Sequence, residues 1–60
     1  MFSILVVEDE DMIRNKILNN INWKENGFNN VFSASNGIEA LEIVDRTNID
    51  IIITDIQDYN

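Results

Sequence analysis

Ser3-Ile4-Leu5-Val6-Val7 is a continuous apolar run, rich in β-branched residues, that stops at four consecutive acids, Glu8, Asp9, Glu10 and Asp11. Apolarity without alternation predicts a parallel strand covered on both faces. Beyond the acids the period changes. Ile13, Ile17 and Ile21 recur every four residues with Leu18 beside them, while Arg14, Asn15, Lys16 and Asn19 fall between. That spacing predicts an amphipathic helix of about three turns. Acids in its first turn suit the positive end of the helix dipole. Asn22 to Asn26 closes the helix and Gly27 supplies the stop.

Asn29-Asn30 reads as a turn, and Val31 to Ala34 as a short, weak strand. Asn36 then opens a second helix, with Glu39 three residues on as in a capping box. Ile38, Leu41 and Val44, with Ala40, form its predicted apolar face, and Glu39, Glu42 and Asp45 a solvated one. Thr47-Asn48 ends it. Ile49-Asp50-Ile51-Ile52-Ile53-Thr54 is the strongest strand candidate and runs into Asp55.

The order β-α-β-α-β predicts an α/β fold with a parallel sheet and crossover helices. Crossovers are right-handed in nearly all cases. With the first strand in the middle, the sheet order is 2-1-3 and one helix covers each face. The reversal beside the first strand is a topological switch point, where open α/β sheets bind ligands at the carboxyl ends of their strands.

Composition narrows the chemistry. The 60 residues include 11 acids and 4 bases, a net charge of −7, and no His, Cys or Pro. One small domain is the upper bound, burying only about 60% of its unfolded surface. Without cysteine there is no disulfide or thiolate zinc site, and without histidine no imidazole ligand or His-activated nucleophile. The negative charge argues against nucleic acid and anionic membranes as partners. No apolar run reaches the roughly 20 residues of a membrane span. Met1-Phe2-Ser3 lacks the basic flank of a signal peptide. A cytoplasmic location is expected.

Both strong strands end in acids. The first delivers Glu8 and Asp9, the last Asp55. If the strands are parallel neighbours, three carboxylates converge. Two such charges 4 Å apart repel by roughly 4 kcal/mol at an effective dielectric of 20, so the cluster must take up protons, spread apart or bind a cation. Oxygen ligands alone suit Mg²⁺, and a carboxylate beside it can attack a phosphoryl group. Glu10 and Asp11 read instead as capping and dipole residues, and Asp58 as a solvated loop acid.

At this point the chain resembles a known family. Ile4-Leu5-Val6-Val7-Glu8-Asp9-Glu10, Ala34-Ser35-Asn36-Gly37-Ile38-Glu39-Ala40-Leu41 and Asp50-Ile51-Ile52-Ile53-Thr54-Asp55-Ile56 are similar, in order and spacing, to the receiver domain of two-component response regulators. Ile21-Asn22-Trp23-Lys24-Glu25-Asn26-Gly27-Phe28 resembles receivers fused to AraC-type DNA-binding domains. The resemblance implies a flavodoxin-like fold and a regulatory phospho-acceptor rather than an enzyme. It implies that Asp55 takes phosphate from a histidine kinase. It further implies that Asp9, Asp55 and the backbone carbonyl of Gln57 ligate Mg²⁺, with Glu8 supporting the ion through water.

The family usually has Met-Pro where this sequence has Asp58-Tyr59. A complete receiver has five strands and five helices. Residues 1–60 therefore correspond to β1-α1-β2-α2-β3 of a partial receiver, without the later strands that carry a switch Ser/Thr and a phosphate-pairing Lys. In such a fragment the third strand is an edge, and self-association through it is expected. A non-catalytic, self-associating interaction module is thus the alternative function. A magnesium-dependent phosphohydrolase fits less well, since the second Asp such enzymes carry falls here on Gln57.

Overall fold

The first apolar run becomes the middle of a sheet. In the computed structural model, which describes residues 1–54, the elements are β1 (Phe2–Val7), α1 (Asp11–Asn20), β2 (Phe28–Ala34), α2 (Gly37–Arg46) and β3 (Ile51–Thr54). The strands are parallel in the order β2-β1-β3. This is the predicted α/β arrangement, with the sheet order 2-1-3 expected from the sequence. Ile4, Leu5, Val6 and Val7 are at most 3% exposed, as expected of a strand paired on both edges and covered on both faces.

Leu5 and Val7 point to one face. There they pack with Ala34 of β2 and with the partly buried Phe32, Ala40, Ile43 and Ile49. That is the α2 face. Ile4 and Val6 point to the other by the two-residue period of a strand. α1 packs against β1, and two right-handed crossovers from a central strand place the helices on opposite faces.

Several local expectations are corrected. Asn29-Asn30 is not a turn but lies inside β2. Phe2 pairs with Phe28 and Ser3 with Asn30, so Asn29 is an extra residue absorbed as a bulge. The turn lies earlier. α1 ends at Asn20, and its cap Ile21 is extended, so Ile21 lies outside the helix. The chain then turns through Trp23 to Gly27, where Gly27 adopts φ +90°, a conformation open to glycine at little cost. The Trp23 indole N–H donates to the Leu18 carbonyl at 3.0 Å, one of the carbonyls a helix end leaves unpaired. Trp23 also packs edge-on against Phe28, with ring centroids 5.9 Å apart.

α2 is capped as predicted on one side. The Glu39 backbone N–H donates to Asn36 Oδ1 at 2.9 Å. The Glu39 carboxylate accepts from the Ser35 hydroxyl and the Asn36 side-chain amide rather than from a backbone N–H, so the capping box is only half formed. The apolar face differs more. Ala40 and Ile43 meet the core, whereas Ile38, Leu41 and Val44 are 74%, 71% and 42% exposed. Glu39, Glu42 and Asp45 are exposed as expected.

β3 begins at Ile51, two residues later than predicted. Ile49 instead packs on the core. The Asp50 N–H donates to the Ser3 carbonyl at 2.9 Å, and Asp50 Oδ2 accepts from the Ser3 N–H at 2.8 Å. A side-chain oxygen thus supplies one rung where the ladder starts.

Candidate functional site

The site is assembled by strand register. β1 and β3 run side by side with Ile4 opposite Ile51, Leu5 opposite Ile52, Val6 opposite Ile53 and Val7 opposite Thr54. Their described carboxyl ends therefore lie level with each other. Glu8 and Asp9 follow Val7 directly. Asp55 follows Thr54 in the sequence, and Asp55, Gln57 and Asp58 lie outside the described residues.

Glu8 and Asp9 are adjacent but differ in environment. Glu8 is 3% exposed, the buried charged side chain among the described residues, while Asp9 is exposed. Burying a carboxylate is costly unless hydrogen bonds compensate. The Glu10 backbone N–H donates to Glu8 Oε2 at 3.3 Å. The backbone of Glu8 is held as well. Its N–H donates to the Ala34 carbonyl at 3.0 Å, extending the β1–β2 ladder one residue past the strand.

Arg14, placed by sequence reasoning on the polar side of α1, takes a larger part. Its Nη1 donates to the Glu8 carbonyl at 2.8 Å and its Nη2 to Asp11 Oδ1 at 2.6 Å. The side chain is only 17% exposed, against 79% for Asp11. One planar guanidinium thus bridges the end of β1 and the first turn of α1. The only signal in the sequence is weak: Arg14 is the first base after the acidic run, three residues beyond Asp11. Glu10 is the N-cap residue of α1 but makes no side-chain cap hydrogen bond, and Asp11 lies in the first turn. The capping role expected of Glu10 is therefore filled only by its backbone position, while Asp11 is an ion-pair partner.

Glu8 and Asp9 supply hard oxygen donors at the end of a strand, one buried and one open to solvent. That set fits a small oxygen-preferring cation that keeps part of its water shell, as Mg²⁺ does. Among the described residues no group of three or more acids, histidines or cysteines gathers closely enough to hold a metal. The set there is two neighbouring carboxylates. No helix among the described residues is long and apolar enough to cross a membrane.

Comparison with known proteins agrees with the geometry. The model of the response regulator receiver domain matches residues 4–57. Across 57 residues the chain is 35% identical to an uncharacterized response regulatory protein of Staphylococcus epidermidis, covering 95% of this chain and 23% of that protein. It is 33% identical to the transcriptional regulatory protein HptR of Staphylococcus aureus over the same shares. The chain thus spans about a quarter of the length of these relatives. No solved structure matches it. With nine-tenths of its length matched by the family, and the three parallel strands in the order that family requires, the chain belongs to the response regulator receiver domains of two-component signalling.

Proposed function

We propose that residues 1–60 are the β1-α1-β2-α2-β3 portion of a receiver whose phospho-acceptor is Asp55. The observation that carries this is the β1–β3 register, which sets Val7 opposite Thr54, the residues immediately before Glu8-Asp9 and Asp55. Asp9, Asp55 and the Gln57 backbone carbonyl would hold Mg²⁺, with Glu8 acting through water. When bound, the ion offsets charge on the transferring phosphoryl oxygens.

In the transfer an Asp55 carboxylate oxygen attacks phosphorus. A new O–P bond forms while the bond from phosphorus to the phosphohistidine ring nitrogen of the kinase breaks. The electron pair stays on that nitrogen. Glu8 and Asp9 would hold the cation and take no covalent part in the transfer. The partner is a histidine kinase in the cytoplasm, and the whole protein acts on transcription. Support for that output comes from the similarity to HptR, a transcriptional regulatory protein.

The test is labelling by acetyl phosphate, read by intact-mass and peptide mass spectrometry. The expected result is a Mg²⁺-dependent acyl phosphate on Asp55, partial in yield, that disappears in Asp55→Asn and in EDTA. Labelling that persists in Asp55→Asn would refute the assignment.

A second reading, the self-associating module, is favoured by one observation. All four residues of β3 are exposed, with Ile51, Ile52 and Ile53 at 43%, 51% and 39%. Within the described sheet, β3 pairs with β1 alone. An apolar edge of this kind templates pairing with another strand. Sedimentation of the chain tests it: oligomers are expected, and a compact monomer at high concentration counts against them.

A further inference from the structure

We infer that Arg14 is a positioning residue for the metal site, fixing the turn that presents Glu8 and Asp9. This rests on the Mg²⁺ reading above. The β1–α1 connection is only three residues, Glu8 to Glu10, and it carries both candidate ligands. Among the described residues, four hydrogen bonds hold its course. Glu8 N–H reaches the Ala34 carbonyl of β2, Glu10 N–H reaches Glu8 Oε2, Arg14 N–H reaches the Glu10 carbonyl at 2.9 Å, and the Arg14 guanidinium reaches the Glu8 carbonyl. Only the last of these ties the turn to a side chain of α1. The second arm of the same guanidinium is held by Asp11, which prevents it from rotating away.

The fork geometry matters. Arg presents two N–H groups in one rigid plane, whereas Lys is a point charge on a flexible stem. A lysine at position 14 can approach Glu8 or Asp11 but cannot bridge both in the same plane. The guanidinium donates to a main-chain carbonyl of the ligand-bearing turn and so leaves the carboxylates of Glu8 and Asp9 for other partners.

Electrostatics alone argues in the opposite direction. A guanidinium close to a cation site repels the cation, so removing it should tighten Mg²⁺ binding. Positioning predicts that its removal loosens binding. The sign of the change therefore separates the two roles.

The experiment titrates Mg²⁺ into wild type, Arg14→Lys and Arg14→Met by calorimetry, with melting curves in EDTA and amide exchange by NMR. Methionine keeps the unbranched stem and removes charge and donors. The expected result is about tenfold weaker Mg²⁺ binding in both variants, the lower end of what loss of a supporting contact does to metal sites. Exchange at the Glu10 amide should accelerate while the β1 amides of Leu5 and Val7 stay protected. Unchanged affinity in Arg14→Lys together with tighter binding in Arg14→Met would overturn the inference and leave the metal reading standing. A wild-type chain that takes up no Mg²⁺ would overturn both. Glu10 exchange that does not respond to Arg14→Lys would overturn the positioning role on its own.

Discussion

β1 and β3 have nearly the same chemistry and opposite fates. Each is a short run of β-branched and aliphatic residues leading to an acid. Leu5 and Ile52 are even register partners on the same ladder. Yet Leu5 is fully buried and Ile52 is 51% exposed. The difference is position in the sheet. β1 has a strand on each side and takes part in a core that α2 covers with Ala40 and Ile43. β3 has one neighbour within the described sheet, and its side of the α2 face opens into a groove of about 700 Å³. Val7, Ile38, Leu41, Val44, Ile52 and Thr54 line it. Apolar sequence thus marks where burial is wanted, while topology decides which run receives it.

The largest expected effect tests this contrast directly. Leu5→Ala deletes a fully buried side chain and should cost about 2–5 kcal/mol. A chain of 60 residues has only about 3–9 kcal/mol in all, so the variant should lose a large share of its stability, read as a much lower urea midpoint by far-UV circular dichroism. Ile52→Ala, one strand away on the same rung, should cost about 1 kcal/mol or less, as half-exposed positions do. Equal losses in urea melts would mean that β3 is covered in solution, and the contrast between the strands would fail.

Ile52→Lys sharpens the same comparison on the association side. A lysine on an exposed edge blocks strand pairing with another chain. The expected outcome is a fall in weight-average mass to that of a monomer in sedimentation equilibrium, with the melting curve little changed. A mass that stays at the wild-type value would show that copies do not meet through β3.

The same contrast explains how much the sequence could reveal. Element order, parallel pairing and the 2-1-3 arrangement were legible because β-α-β alternation leaves few topologies. The cap at Asn36 was legible because a capping signal is local. The burial of α2 was legible only at Ala40. Ile38, Leu41 and Val44 are the more regular stripe, but the helix turns Ala40 and Ile43 to the sheet. Periodicity identifies apolar stripes and not which neighbour each one meets. Asn29-Asn30 misled because a polar pair reads as a turn, whereas a bulge can carry it within a strand. At the site, Glu8 and Asp9 were placed correctly at the end of β1. Arg14 was only faintly legible, through its spacing from Asp11, because its other partner is a backbone carbonyl six residues away, which leaves no mark on residue type.

The smallest effect concerns α2, which rests on β1 and β2. Its N-terminus is closed by Asn36, whose side chain accepts from the Glu39 N–H. α1 has no such side-chain bond at Glu10 and relies on the Arg14–Asp11 pair instead. Asn36→Ala should therefore cost about 1 kcal/mol, the usual loss for an N-cap. Glu10→Ala, which removes no cap bond, should change stability by about 0.5 kcal/mol or less. Urea melts of the two variants check this. Because α2 covers the sheet face that holds Leu5 and Val7, the Asn36 loss should appear as faster amide exchange in α2 and at the α2 face of β1. Exchange along β3 should rise no more than the global loss of stability requires. A selective increase along β3 would mean that the third strand depends on α2 as closely as the first does, against the exposure of Ile51, Ile52 and Ile53.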